Sequence, residues 1–218
     1  SKSIEIAEFS KLLENIYRSV NIGFINEMKI LADKMNIDIF DVINISNTKP
    51  YGFRRFDPGP GIGGHCIPVD PNYLYWKSVK VGLPAKFIRL SAQTNIHVLN
   101  FIMKKILKNL KRNKISLGKS KILILGLSYK KNLDDIRESA SVKLINNLFK
   151  KGVKNISIHD PYSEEKISNK KIKKTKHLNP TVLKGFDIVV LMTDHDLFDY
   201  DLIKNNAKLI IDCRGRFE

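Results

Sequence analysis

The 218-residue chain has only two cysteines, Cys66 and Cys213. That is too few for a secreted disulfide framework, and neither cysteine belongs to a CxxC pair or a His/Cys cluster with zinc spacing. A cytoplasmic, reducing setting and no bound metal are expected. No apolar run approaches the roughly 18 residues of a membrane helix. The best runs are short, ILILGL at 122–127 and IVVLM at 188–192, so no membrane association is expected. Internal repeats at solenoid periods are missing, as is any G-x-G-x-x-G dinucleotide fingerprint. The given sequence opens on Ser1, without a methionine or a basic-then-apolar pattern, and runs directly into an amphipathic helical pattern, so an internal fragment is expected.

What is present is an ordinary globular composition, 43% apolar and 28% charged, which excludes collagen-like and disordered readings. Basic residues outnumber acidic ones 38 to 22, a net charge of +16. Such a charge invites a polyanion. Its acid-free stretches, 101–121 and 166–176, carry neither interleaved aromatics nor a nucleic-acid motif, so they are read as solvated faces and no nucleic-acid partner is expected.

The first half reads as helical. Phe9, Leu13, Ile16, Val20, Phe24, Met28, Leu31 and Met35 recur in three- and four-residue steps, predicting a long helix over 6–35 with one apolar face. On its opposite face Lys11 and Asn15 project side by side, with Glu8 a turn earlier. A short helix at 39–45 follows, then an Asn-, Gly- and Pro-rich loop over 46–71 that is too long to be mere connection. A third helix is predicted at 85–112, with a broad apolar stripe from Phe87 to Leu110. Beyond it the pattern alternates: strands at 121–127, 156–160, 186–193 and 208–212, with a helix at 140–150 and shorter helices between. That alternation predicts a parallel sheet with crossover helices. The fold class is therefore α/β, a helical domain over 1–114 followed by a small doubly wound, Rossmann-like domain over 115–218.

The most informative stretch is PGPGIGGHCIPVD at 58–70. Gly59, Gly61, Gly63 and Gly64 permit close backbone approach to an anion such as a diphosphate, or serve turn geometry alone. Cys66, two residues beyond Gly64, is either a nucleophile or an ordinary buried thiol. Asp70 lies four residues on, and a carboxylate that close to a thioester can orient or deprotonate a hydrolytic water. His65 points away from its neighbour Cys66 in an extended loop and is not read as its base. The other histidines, His195 among them, lack partner spacing and are read as ordinary surface or core residues, Cys213 as an apolar filler, and Asp160 as a turn residue.

GPGIGGHCIPVD, the upstream helix EFSKLLENIYRSVNIGFINEM and the downstream KILILGLSYKKNLDDIRES together resemble the central and C-terminal domains of the nucleotide-sugar 6-dehydrogenases. The wording GHCIPVDPNYLYWK is most similar to the bacterial UDP-N-acetylglucosamine 6-dehydrogenases. The likeness runs through nearly the whole chain in the right order. It implies a central dimerisation domain with a long connecting helix, followed by a UDP-binding domain, and a family NAD domain that is absent from this sequence. It implies oxidation of C6 of a UDP-N-acetylhexosamine, most specifically UDP-N-acetylglucosamine, by two NAD through a thiohemiacetal and thioester on Cys66. Lys11 and Asn15 match the oxyanion-stabilising pair, and Asp70 the acid that orders the hydrolytic water. Gly59, Gly61, Gly63 and Gly64 match the loop around sugar and diphosphate, Lys130 and Arg214 the nucleotide contacts, and Arg137 a residue reaching toward NAD. Expected cofactor and partners are NAD, a UDP-sugar and a second copy in a homodimer, with this portion alone inactive. The alternative is a non-catalytic nucleotide-sugar-binding and dimerisation module.

Overall fold

A computed structural model describes residues 3–163 and 172–217. The chain forms two compact units, residues 1–98 and 99–218, dividing between Val98 and Leu99. The first holds helices α1 (Ile4–Met35), α2 (Ile39–Ser46) and α3 (Asp70–Lys80) and the start of α4 (Lys86–Arg112). Ser3 caps α1 by accepting the Ile6 amide at 3.4 Å, and Asn36 ends it in the left-handed conformation at φ 56°.

The buried face of α1 differs from the expected apolar stripe. Phe9, Leu13, Phe24, Leu31 and Met35 are exposed, whereas Asn15, Ile16, Ser19, Gly23, Ile25 and Asn26 are buried. The reason is close helix approach. A Cβ at Gly23 would stand 3.1 Å from the Ser91 carbonyl oxygen of α4. Asn95 of α4 donates to the Ser19 carbonyl at 3.0 Å and accepts from the Asn26 amide at 3.1 Å. Small and amide side chains thus make this contact in place of the larger apolar ones. Helix α3 is a further difference, since 72–80 reads only as the segment after the loop. Its Tyr73, Trp76 and Val79 stay exposed and only Pro71 is buried, so no buried periodicity marks it.

The second unit is a five-stranded parallel sheet of β1 (Lys121–Leu125), β2 (Asn155–His159), β3 (Ile172–Lys174), β4 (Ile188–Leu191) and β5 (Ile210–Asp212), ordered β3-β2-β1-β4-β5. Alternate residues of β1 serve opposite faces, as the pleat requires. Ile122 and Ile124 join Ile106 and Leu110 of α4 and Leu144 and Leu148 of α5 (Ala140–Lys150). Leu123 and Leu125 join Leu183 of α6 (Pro180–Lys184) and Ile203 of α7 (Tyr200–Asn206). Each fully buried Leu or Ile contributes about 1.5–3 kcal/mol. The stripe on α4 accordingly splits: Leu99, Ile102, Ile106 and Leu110 are covered, while Phe87, Leu90 and Ile96 are exposed.

β3 lies within the basic stretch 166–176, of which 166–171 are outside the described residues. It is a short edge strand with Ile172 buried and Lys173 and Lys174 exposed, an arrangement that resists edge-to-edge pairing. Among the described residues no helix is long and apolar enough to cross a membrane.

Candidate functional site

In the first unit, the Gly/Pro loop is anchored at its start and its end. The Gly59 amide donates to the buried Asn26 side chain at 2.9 Å, and Pro58 and Pro60 are buried beside it. Gly61 at φ 135° and Gly64 at φ 85° occupy backbone regions that favour glycine. The chain then turns through Cys66, whose carbonyl accepts the amides of Val69 at 3.0 Å and Asp70 at 2.8 Å and leads into α3. Cys66 itself is exposed.

Asp70 is the first residue of α3, where the helix dipole favours a carboxylate. It accepts a hydrogen bond from Asn15 Nδ2 at 2.6 Å. Asn15 is 3% exposed, so it is no solvated helix residue. Its other amide atom, Oδ1, accepts from the Arg18 guanidinium. Arg18 is absent from the sequence-derived site residues, and its only signal is the three-residue spacing from Asn15 on one helix face. Lys11 stands apart from this chain of bonds, with its ammonium 3.6 Å from Glu14 and its side chain 66% exposed. An exposed pair at this spacing contributes roughly 0.2–0.5 kcal/mol, so drawing Lys11 toward a developing oxyanion costs little.

In the second unit the candidate residues lie where β1, β4 and β5 end, at the switch in strand order where open α/β sheets bind ligands. Gly126 follows β1 at φ 83°, and a Cβ there would stand 2.5 Å from Thr193 Cβ. Lys130 is exposed on the turn that follows. Arg214 Nε donates to the Met192 carbonyl at 2.8 Å and lies 3.8 Å from Asp194. Its turn is set by Asp212, which accepts the amides of Arg214, Gly215, Arg216 and Phe217. Arg137 is exposed, with its guanidinium on Asp135 at 2.6 Å.

Two buried polar residues underlie this edge. Asp160, at the end of β2, accepts the amides of Leu127, Ser128, Tyr162 and Ser163. Burial opposes its charge, but hydrogen bonds from His195 and from the Leu127 and Tyr162 amides outweigh this and hold the carboxyl well below the usual carboxylate range. His195 is fully buried, with Nε2 3.1 Å from Asp160 Oδ2. The Tyr200 hydroxyl donates to the His195 carbonyl at 2.7 Å, and burial pushes that phenol up to about 12.

This edge does not fit a dinucleotide in the fingerprint manner. The amides of Leu127 and Ser128, which would have to meet a pyrophosphate there, are given to Asp160, and the space left by Gly126 is taken by Thr193. Among the described residues no group of three or more His, Cys, Asp or Glu is arranged to hold a metal ion.

Two family models match the chain. The UDP-glucose/GDP-mannose dehydrogenase family central domain covers residues 5–97, and that family's UDP binding domain covers 123–218. The chain is 35% identical, over 97% of its length, to a UDP-N-acetyl-D-mannosamine dehydrogenase of Methanococcus maripaludis, covering 48% of it. It is 30% identical, over 96% of its length, to an NDP-N-acetyl-D-galactosaminuronic acid dehydrogenase of Ralstonia nicotianae, again covering 48%. Among solved structures, the UDP-D-ManNAc dehydrogenase of Pyrococcus horikoshii superposes with a TM-score of 0.80 at 31% identity, over 96% of this chain and 48% of that one. The chain thus spans about half the length of the curated relatives it matches.

Proposed function

Because this chain belongs to the UDP-glucose/GDP-mannose dehydrogenase family, comprising its central and UDP binding domains, we propose that it is the substrate-handling portion of an NAD-dependent enzyme oxidising C6 of a UDP-N-acetylhexosamine to the uronic acid. The observation that carries this reading is the Asn15–Asp70 hydrogen bond, which sets an amide and a carboxylate beside the turn that presents Cys66.

Loss of a hydride from C6 and of the hydroxyl proton turns the C6 alcohol into an aldehyde, to which the Cys66 thiolate adds to form a thiohemiacetal. Loss of hydride from C6 leaves a thioester on the same sulfur. Asp70 orients the water that attacks this thioester, releasing the carboxylate and restoring the thiol. The Lys11 ammonium and the Asn15 amide offset the negative charge on the C6 oxygen at each stage. Gly59, Gly61, Gly63 and Gly64 leave room for sugar and diphosphate, and Lys130 and Arg214 meet the uridine nucleotide. NAD, when bound to the whole enzyme, accepts the two hydrides, with Arg137 as this chain's contribution to holding it. The exposed apolar side chains of α4 suit a homodimer.

The relatives' names favour an N-acetylhexosamine, and the GHCIPVD wording favours UDP-N-acetylglucosamine. The test supplies UDP-N-acetylglucosamine, UDP-N-acetylmannosamine and UDP-glucose, each with NAD, to the protein carrying this chain. NADH and uronic acid from an N-acetylated substrate, with acid formation abolished in Cys66→Ala, are expected. Binding of UDP-sugars without NADH from any of them would make the chain a binding module instead.

A further inference from the structure

The buried His195 is unused by the chemistry above, and its bonding fixes its protonation. The backbone amide of Asn132 lies 3.0 Å from Nδ1, and an amide can only donate. Nδ1 is therefore bare. Nε2, 3.1 Å from a carboxylate that already accepts four amides, carries the proton and donates it to Asp160. The ring is a neutral imidazole in one tautomer, bridging the end of β2 to the turn at 128–132.

That turn carries Lys130 and is bound to the His195 segment at further points. The Asn132 side chain donates to Asp196 at 2.6 Å and accepts the Asp196 amide at 3.0 Å. Lys131 pairs with Asp196 at 2.6 Å. The Ser128 hydroxyl, 3.2 Å from His195 Nε2, donates to the Lys130 carbonyl at 2.9 Å. Lys130 itself is exposed, so its backbone position depends on these bonds. Resting on the UDP-sugar reading above, we infer that His195 is a positioning residue for nucleotide binding, holding the Lys130 turn in its binding geometry through the Nδ1 acceptor it offers the Asn132 amide.

Without that acceptor the Asn132 amide has no partner on the ring and the turn loses this tie to the His195 segment. Affinity for a UDP-sugar then falls. The charged groups around the ring are Asp160 below it, Asp194 and Asp196 beside it in sequence, and Lys131 on Asp196. Its other neighbours are aromatic: the Tyr162 ring at 5.0 Å, the Phe198 ring at 5.3 Å, and Tyr200, over which Arg216 lies at 4.5 Å.

The test measures equilibrium binding of UDP-N-acetylglucosamine at pH 7.5. The parent protein is compared with two variants that separate the bonds. His195→Asn sets an amide oxygen where Nδ1 accepts; His195→Gln keeps a donor toward Asp160 and loses that acceptor. Expected is an affinity about tenfold weaker than the parent's in His195→Gln and largely recovered in His195→Asn. Nitrogen-15 spectra of the parent's imidazole serve as a readout independent of folding in the variants; they should show Nδ1 bare and Nε2 protonated. Parent-like affinity in His195→Gln, affinity equally weak in both variants, or a ring protonated at Nδ1 would overturn the inference and leave the UDP-sugar reading standing. No binding by the parent overturns that reading, and this inference with it.

Discussion

Asn15 Nδ2 meets Asp70 Oδ2 at 2.6 Å across 55 residues of sequence. This bond joins the buried face of α1 to the first turn of α3, and the Cys66 carbonyl closes the same turn through the Asp70 amide. Because Arg18 occupies the Asn15 oxygen, the amide has a single orientation, with its nitrogen toward the carboxylate. A helix position that sequence alone leaves open to solvent is thus an ordered donor within the candidate site.

Asp70→Asn keeps the shape of this contact and removes the charge that orients water. Turnover is expected to fall on the order of 10²–10⁴-fold. Mass spectrometry of the protein incubated with UDP-N-acetylhexosamine and NAD should then find an acyl adduct on Cys66. Parent-like turnover would remove Asp70 from the hydrolytic step.

At Gly126 an added methyl meets Thr193 backbone and side-chain atoms at 2.5–2.7 Å, with φ at 83°. At Gly152, φ is 95° but nothing lies within 4 Å. Gly152→Ala is expected to cost about 1–2 kcal/mol, the left-handed penalty alone. Gly126→Ala adds the collision and should cost about 1–3 kcal/mol more. Urea denaturation of both variants checks the difference, and equal losses would contradict the close β1–β4 approach.

Phe87 and Ile96 are exposed apolar residues of α4. If they cover a second copy, Phe87→Glu with Ile96→Glu converts a dimer to a monomer in light scattering while the circular dichroism stays helical. A parent that is already monomeric at micromolar concentration would refute the homodimer.

Asp160 is held below the ordinary carboxylate range in the folded chain. A group whose folded pKa is depressed contributes stability above its unfolded pKa, and that stability is lost as pH falls toward the folded value. The parent should therefore lose stability on acidification below about pH 5. Asp160→Asn, which leaves a donor facing the Leu127 and Ser128 amides, should be less stable by about 3 kcal/mol at pH 7 and should show a shallower acid slope. Denaturation at pH 7, 5 and 3.5 gives both numbers. Identical slopes would mean that Asp160 does not carry the linkage.

Much of the secondary structure was legible because local physics marks it. The buried strand KILIL lies between two apolar layers, and α5 shows buried Leu144, Ile145 and Leu148 at helical spacing. α3 and β3 were not legible, and for one reason: each buries almost nothing, only Pro71 and Ile172 respectively, so no apolar period records them. The face of α1 was misread because periodicity ranks residues by apolar size. Helix contact at Gly23, Asn26 and Asn95 is instead decided by how closely two backbones approach.

At the candidate site, the sequence by itself determined which chemical groups are available: a thiol after four glycines, a carboxylate four residues on, and a lysine and an asparagine on one helix. Residue type and spacing along a loop or helix are local properties, so they survive without a fold. Only the tertiary structure decided that Asn15 belongs to Asp70, that Arg18 orients it, and that the first turn of the α/β unit gives its amides to Asp160 in place of a pyrophosphate. Those choices pair groups separated by helices and strands, where the partner of a hydrogen bond is set by packing and by the need to satisfy every buried donor and acceptor.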